Sequence, residues 1–258
     1  MKRKLIAFDI DGTLLNSQKE ALPNTVKALE KLRNNGHLVM VATGRSRFLA
    51  QPVLKKLAFH NYVVCNGSAA FLDHKQVYKH LLDEAQLTAL ISELDELRVD
   101  TAFIGMDAMG RHSDFNVSVM DEAMRSFGSH VPEFDPDFKN QQEVYQALAF
   151  YDANYEGRFD EKYPALRFVR WHEKCVDIIP ENGSKAATIL HLGRTLGIKQ
   201  EDIITFGDGQ NDKEMLAAAG IGVAMGNAED DVKDVASIVT ASNDEDGIFK
   251  ALQELALI

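Results

Sequence analysis

The stretch Lys4–Asn16, KLIAFDIDGTLLN, decides the fold. Leu5, Ile6, Ala7 and Phe8 make an apolar run of strand length. Asp9 closes the run, Asp11 follows two residues on, and Gly12 turns the chain. If extended geometry holds as far as Asp11, both carboxylates point to one side, because strand side chains alternate with period two. Like charges at close range repel, and each resists ionising. A divalent cation offsets that cost, and a hard cation such as Mg²⁺ takes oxygen ligands while keeping waters and substrate phosphate in its shell. The plainer reading of the same letters is a solvated Asp-Gly turn.

The next segments repeat the pattern. Pro23–Asn34 reads as a helix: Pro23 suits a first turn, Val26, Leu29 and Leu32 recur at helical spacing, and Gly36 closes it. Leu38–Ala42 is a second strand, ending in Thr43-Gly44-Arg45. A helix over Ser46–Leu57 follows, then a third strand, Tyr62–Cys65, ending in Asn66-Gly67-Ser68. Strand–helix alternation with short connections predicts a parallel sheet with right-handed crossovers. Each strand carries a polar cluster at its C-terminal end, the edge where open α/β sheets bind ligands.

The rhythm then changes. Phe71–Leu82 reads as two short strands around Asp73-His74, and Glu84–Leu97 as an amphipathic helix. From Val99 to Pro180, short strands (Thr101–Ile104, Ala147–Tyr151, Leu166–Arg170, Cys175–Ile179) mix with helical pieces near Asn116–Phe127 and Asn154–Lys162 and a proline-containing loop over Val131–Pro136. This is the pattern of a separate α+β module. Alternation resumes with a helix over Gly183–Leu196, a strand over Ile203–Phe206 running into Gly207-Asp208-Gly209-Gln210-Asn211-Asp212, a short helix over Lys213–Ala219, a strand over Ile221–Met225 and a last helix over Gly247–Leu257. The predicted architecture is an α/β, Rossmann-like parallel-sheet core over residues 1–82 and 183–258, interrupted by an α+β domain over 83–182.

Composition bounds the function. The chain has 258 residues, 45% apolar and 26% charged, which suits a soluble globular protein. No apolar run approaches the roughly 18 residues of a membrane span. Met1–Lys4 has the look of a signal-peptide head, but Asp9 breaks the apolar segment too soon for a secretory core, so a cytoplasmic location is expected. Cys65 and Cys175 sit far apart in apolar runs and are expected as buried thiols. A net charge of −11 argues against nucleic acid or an anionic membrane as the main partner. It leaves a phosphate substrate open, because a bound metal reverses the local field. Oligomeric state is not legible.

Four clusters stand out: Asp9/Asp11, Thr43-Gly44, Lys185, and Asp208 with Asn211-Asp212. Three of them directly follow apolar strands, so a parallel sheet brings them to one edge. Together they supply carboxylates, a hydroxyl, a cation and further oxygen ligands. That inventory suits phosphoryl transfer, where catalysis is mostly positioning and charge stabilisation. Taken singly, Lys185 reads as a surface helix lysine, Thr43-Gly44 and Asp208-Gly209 as plain turns, and Asp212 as a first-turn helix acid.

In this order the clusters resemble the haloacid dehalogenase superfamily, in particular its Cof-type phosphatases with a large α/β cap inserted in the core. The resemblance spans the chain, through DIDGT at Asp9–Thr13, TGR at Thr43–Arg45, Lys185, and GDGQND at Gly207–Asp212. It implies that Asp9 attacks phosphorus and forms an aspartyl-phosphate. It implies that Asp11 protonates the leaving alcohol and then activates water. Asp9, the Asp11 backbone carbonyl and Asp208 would hold Mg²⁺, with Asp212 supporting that shell or Lys185. Thr43 and backbone N–H groups near Gly12 and Gly44 would bind phosphate oxygens, Lys185 would neutralise phosphate and nucleophile, Asn211 would orient the phosphate, and Arg45 would contact substrate or cap. The implied partner is a small phosphorylated metabolite.

Other motifs fail on context. Gly220-Ile221-Gly222 with Gly226 precedes a strand, the reverse of a dinucleotide loop. Gly183-Ser184-Lys185 lacks the upstream glycine of a P-loop. The eight histidines show no zinc spacing. The same inventory also permits a phosphomutase, or a non-enzymatic phospholigand sensor, although binding alone needs no nucleophile and acid.

Overall fold

The computed structural model describes residues 2–126 and 128–258; Met1, where the signal-head reading begins, and Phe127, the last residue of one predicted helix, lie outside the described residues. The elements in chain order are β1 (Leu5–Phe8), α1 (Pro23–Asn34), β2 (Leu38–Ala42), α2 (Arg47–Lys56), β3 (Tyr62–Val64), β4 (Ala69–Leu72), β5 (Lys75–Lys79), α3 (Glu84–Glu96), β6 (Asp100–Ile104), β7 (Met109–Arg111), α4 (Val117–Ser126), β8 (Glu133–Phe134), α5 (Phe138–Gln141), β9 (Gln146–Phe150), β10 (Leu166–His172), β11 (Cys175–Pro180), α6 (Lys185–Thr195), β12 (Ile203–Gly207), α7 (Lys213–Ala218), β13 (Ile221–Ala224), α8 (Asp230–Lys233), β14 (Ile238–Val239) and α9 (Gly247–Glu254).

Two compact units result. The first takes in the chain up to Arg45, Leu49–Tyr78 and Ser184–Ile258. Its sheet has the order β14-β13-β12-β1-β2-β3-β4-β5. The pairings from β14 to β3 are parallel, and β3 pairs antiparallel with β4. The parallel sheet read from the sequence therefore carries an antiparallel edge. Asp73 and His74, both at positive φ (49° and 61°), lie between β4 and β5, the pair of backbone conformations a two-residue hairpin turn requires.

Leu5 to Phe8 have no exposed surface. A central parallel strand is covered on both faces, so its sequence is continuously apolar and does not alternate. Leu5 and Ala7 pack with Met40, Val63, Ile189 and Ile203, while Phe8 stacks on Phe206 at 4.8 Å. Each fully buried large side chain contributes roughly 1.5–3 kcal/mol, so this run anchors the sheet at its centre.

The second unit comprises Ser46–Phe48 and Lys79–Gly183. Ser46–Phe48 belongs to it because Phe48 N–H donates to Met106 O at 3.3 Å and the Arg47 guanidinium pairs with the Asp107 carboxylate. Its sheet has the order β10-β11-β9-β6-β7-β8, and Leu87, Leu90, Ile91 and Leu94 of α3 pack with Phe103, Ala147, Val176 and Ile178.

Two local expectations are corrected. Asn154–Lys162 is not α-helical; a 3₁₀ turn over Ala153–Tyr155 gives way to further turns, with Gly157 at φ 72°. The four-residue spacing of Tyr155, Phe159 and Tyr163 imitates helical periodicity, but those rings are spaced to pack on the core of this unit. The Val131–Pro136 loop contains β8, which pairs parallel with β7. Cys65 and Cys175 are buried and form no disulfide. Among the described residues, no helix is long and apolar enough to cross a membrane.

Candidate active site

Sheet register assembles the site. Phe8 lies level with Phe206 on β12 and Val41 on β2. One step further, Asp9 leaves the sheet with its N–H on Phe206 O at 2.9 Å. The ends of β1, β2 and β12 thus deliver Asp9, Thr43 and Asp208 to the same edge.

Lys185 reaches this edge from α6. It is the first residue of that helix, after an N-cap in which Ser184 Oγ accepts from Ala187 N–H at 3.0 Å. The residue is 2% exposed, and Nζ donates to Asp9 Oδ1 and Asp212 Oδ1 at 2.7 Å each. A buried ammonium at a helix N-terminus opposes the helix dipole, so the two carboxylates are what make the position tenable. Asp212 is fixed in turn: its Oδ2 accepts from the backbone N–H groups of Asp208 at 3.0 Å and Gly209 at 2.9 Å.

Asp208 is held by residues the sequence reading did not single out. Thr13 Oγ1 donates to its Oδ1 at 2.7 Å, and Asn227 Nδ2 donates to its Oδ2 at 3.3 Å and to Gly12 O at 3.0 Å. Gly12 stands at φ 81°, and a Cβ there would lie 2.0 Å from Asp208 Oδ2. Glycine is required by both conformation and space. Thr13 was legible as part of the DIDGT run. Asn227 carried no local signal.

Oxygens of Asp9, Asp208 and Asp212 all lie within 4.8 Å of one another. Burial, reinforced by the Asp212 charge, holds the Asp9 carboxyl well above the usual carboxylate range in spite of Lys185. The same two causes push Asp208 up to about 7, against the hydrogen bond from Thr13. Burial alone would lower Lys185, but the carboxylates of Asp212 and Asp9 outweigh it and raise it. Three acidic groups facing one ammonium are short of positive charge. An all-oxygen donor set with that deficit fits a hard dication, so the residues present suit a metal of the Mg²⁺ kind.

Asp11 differs from its expected place. The chain does not stay extended after Phe8: Leu14 N–H returns to Asp9 O at 3.2 Å and Leu15 N–H to Ile10 O at 3.0 Å. The Asp11 carboxylate accepts two hydrogen bonds from Arg45, at 2.7 Å from Nε and 2.6 Å from Nη2, with Lys19 Nζ at 3.6 Å. A guanidinium fork matches a carboxylate edge to edge. So the shared face expected of Asp9 and Asp11 is replaced by an Asp11–Arg45 pair. Arg45, expected on substrate or cap, is engaged here, and the acidic side chain that joins Asp9 and Asp208 is Asp212.

Thr43 is buried, its Oγ1 accepting from Arg45 N–H at 3.1 Å. Asn211 Nδ2 donates to Oδ1 of the buried Asn66 at 3.0 Å. A Cβ on Gly44 would meet Asn66 Oδ1 at 3.0 Å and Asn211 Nδ2 at 3.4 Å. The sequence-derived residues of the core thus fall into three groups: the acid–lysine cluster with Gly12, the Asp11–Arg45 pair, and the Thr43/Gly44/Asn211 side.

Comparison with known proteins gives the family. A family description of haloacid dehalogenase-like hydrolases matches residues 6–252. YkrA of Bacillus subtilis (strain 168), whose name places it provisionally among phosphatases, is 36% identical over 258 residues, covering 100% of both chains. The 5-amino-6-(5-phospho-D-ribitylamino)uracil phosphatase YitU of the same organism is 32% identical, over 98% of this chain and 97% of its own. The crystallographically characterised HAD subclass IIB sugar phosphatase BT4131 superposes with a TM-score of 0.88 at 29% identity, over 99% of this chain and 100% of its own. The chain belongs to the haloacid dehalogenase-like hydrolases, on a mixed α/β fold with a parallel-sheet core. It is a hydrolase acting on phosphate esters.

Proposed function

We propose that this chain is a Mg²⁺-dependent phosphatase of small phosphate monoesters, of the sugar phosphate, nucleotide or pyridoxal phosphate type, acting in the cytoplasm through an aspartyl-phosphate. The observation that carries the reading is the buried Lys185 ammonium set between Asp9 and Asp212 at 2.7 Å each, with Asp208 alongside. The relatives named above add weight, since one is a sugar phosphatase and another a phosphatase of a ribityl phosphate.

Among the described residues Lys185 is the one hydrogen-bond donor to the Asp9 carboxylate, on Oδ1, which leaves Oδ2 as the attacking atom. Attack of Oδ2 on phosphorus forms the acyl-phosphate bond as the bond to the leaving oxygen breaks, and Asp11 delivers a proton to that oxygen. Water then attacks phosphorus, Asp11 takes its proton, and the Asp9 carboxylate and inorganic phosphate are regenerated. Lys185 opposes the burial that disfavours an ionised Asp9 carboxylate, and it balances charge on the phosphoryl oxygens. Thr43, the N–H groups near Gly12 and Gly44, and Asn211 orient the phosphate. The carboxylates of Asp9 and Asp208 and the Asp11 carbonyl would hold the metal, which when bound supplies positive charge beside the reacting phosphate.

Arg45 has a part in this scheme through Asp11. The guanidinium occupies both Asp11 carboxylate oxygens, so that pair must loosen for Asp11 to reach the leaving oxygen or the attacking water. The inserted domain, residues 83–182, is proposed as the element that recognises the leaving group. The test is a turnover screen of phosphorylated metabolites with Mg²⁺ present and removed by chelation. Release of inorganic phosphate that chelation stops is expected. Turnover that survives chelation, or none with any phosphate ester, overturns the proposal. Label from solvent water in the released phosphate separates hydrolysis from mutase transfer.

A further inference from the structure

The Asn66-Gly67-Ser68 turn has no part in the scheme above, yet it is among the most constrained backbone in the first unit. Cys65, Asn66 and Gly67 are consecutive residues at positive φ, 51°, 50° and 101°. Non-glycine residues hold that conformation only where their surroundings over-determine it, and such strain gathers at functional sites.

The surroundings here are parts of the site. Cys65 N–H donates to Arg45 O at 2.9 Å, and Asn66 N–H to Thr43 O at 3.1 Å. Gly67 lies flat against the start of α6, where a Cβ would stand 2.2 Å from Ser184 O. Its carbonyl accepts from Thr188 Oγ1 at 2.7 Å. The turn is thus tied to the Thr43–Arg45 loop and to the helix end that carries Lys185.

This backbone puts the Asn66 side chain, 3% exposed, against Asn211 and Gly44. The last torsion of an asparagine is a broad, roughly two-fold well, so a carboxamide needs a partner to fix which way it faces. Asn66 Oδ1 takes one of the two Nδ2 protons of Asn211 at 3.0 Å. The other proton is left for a ligand.

We propose that Asn66 is a positioning residue for the phosphate: by accepting from Asn211 Nδ2 it fixes the Asn211 carboxamide in the orientation that presents its remaining N–H to a phosphate oxygen. This rests on the reading of Asn211 as a phosphate-orienting group. Such a residue helps ground state and transition state alike, so its loss raises KM more than it lowers kcat.

Asn66→Gly tests this, because glycine keeps the left-handed backbone without steric cost while deleting the acceptor. Asn66→Ser, too short to reach Asn211, is the second deletion should glycine loosen the turn. Either variant should raise KM, and the inhibition constant of inorganic phosphate, by about three- to tenfold, the worth of one hydrogen bond, with kcat little changed. In an Asn211→Ala background the same change should raise KM by much less, since the Asn66–Asn211 contact is then already gone. The side-chain amide resonances of Asn211, followed by ¹⁵N–¹H spectroscopy, should move in the Asn66 variants. Wild-type KM and inhibition constant, independent effects in the double variant, or unmoved Asn211 resonances each overturn the inference. Should the unsubstituted protein turn over no phosphate ester, the functional reading falls by itself. The Asn211 resonances then decide the Asn66 contact separately: displaced, they sustain it; unmoved, they end it.

Discussion

Stripping the metal at different pH values probes the charge arrangement most directly. When ionised, Asp9, Asp208 and Asp212 present three negative charges to the one positive charge of Lys185. With no ion bound, burial and the Asp212 charge push Asp208 up to about 7 from 3.8. A carboxyl whose value is raised by folding binds its proton more tightly in the folded state. Its stabilisation is complete below pH 3.8 and is lost as pH rises to about 7. At roughly 1.4 kcal/mol per pH unit, that loss is at most about 4 kcal/mol, and less in practice because Asp208 is only partly buried. A dication reverses the sign, because it takes the place of the proton. Below about pH 7, binding releases the Asp208 proton, so apparent affinity should fall about tenfold per pH unit, and up to about a hundredfold if Asp9 gives up its proton as well. Titration calorimetry with Mg²⁺, in buffers of different ionisation heat, counts the protons released at about pH 6 and about pH 8. One to two protons at the lower pH and fewer at the higher are expected, with the melting-temperature gap between Mg²⁺-loaded and chelated protein widening as pH rises. A pH-independent affinity with no proton release refutes the reasoning.

Asp9→Asn should abolish turnover while circular dichroism shows the fold unchanged; residual activity near the parent level would remove Asp9 as nucleophile. Lys185→Met keeps the apolar stem and leaves Asp9 and Asp212 buried without their counter-charge, so denaturant unfolding should report a loss of about 3–5 kcal/mol at neutral pH. A loss under about 1 kcal/mol would mean that the cluster is solvated. Thr13→Ala removes the 2.7 Å hydrogen bond on Asp208 Oδ1; metal affinity measured by calorimetry should drop about 10- to 100-fold, the usual cost of losing a group that orients a ligand, and an unchanged affinity would place the ion away from Asp208.

Much of the first unit was legible because its signals are local. Leu5–Phe8 is a buried central strand, and four apolar letters in a row are what burial on both faces demands. Pro23 opens α1, and Asp73-His74 turns between β4 and β5. Reading failed where periodicity had another cause. Tyr155, Phe159 and Tyr163 recur every fourth residue as packed aromatics in a chain of turns. It also missed strands of two or three residues, such as β7, β8 and β14, which are too short to show alternation and exist only through their neighbours.

The sequence by itself determined which chemical groups stand at the strand ends, because an apolar run stops where a polar residue begins. The order of those groups along the chain is what identified their kind of chemistry. The tertiary structure decided which group meets which. Asp9 and Lys185 are separated by 176 positions and touch because β1 ends and α6 begins at the same edge. Asp11 faces Arg45, and Asp212 joins Asp9 and Asp208, because the chain curls after Phe8 and Gly12 makes room for Asp208. Asn66 and Asn227 enter the site only through register and loop packing. Side-chain polarity is a property of one residue, whereas a hydrogen bond between distant residues depends on the path of all the chain between them.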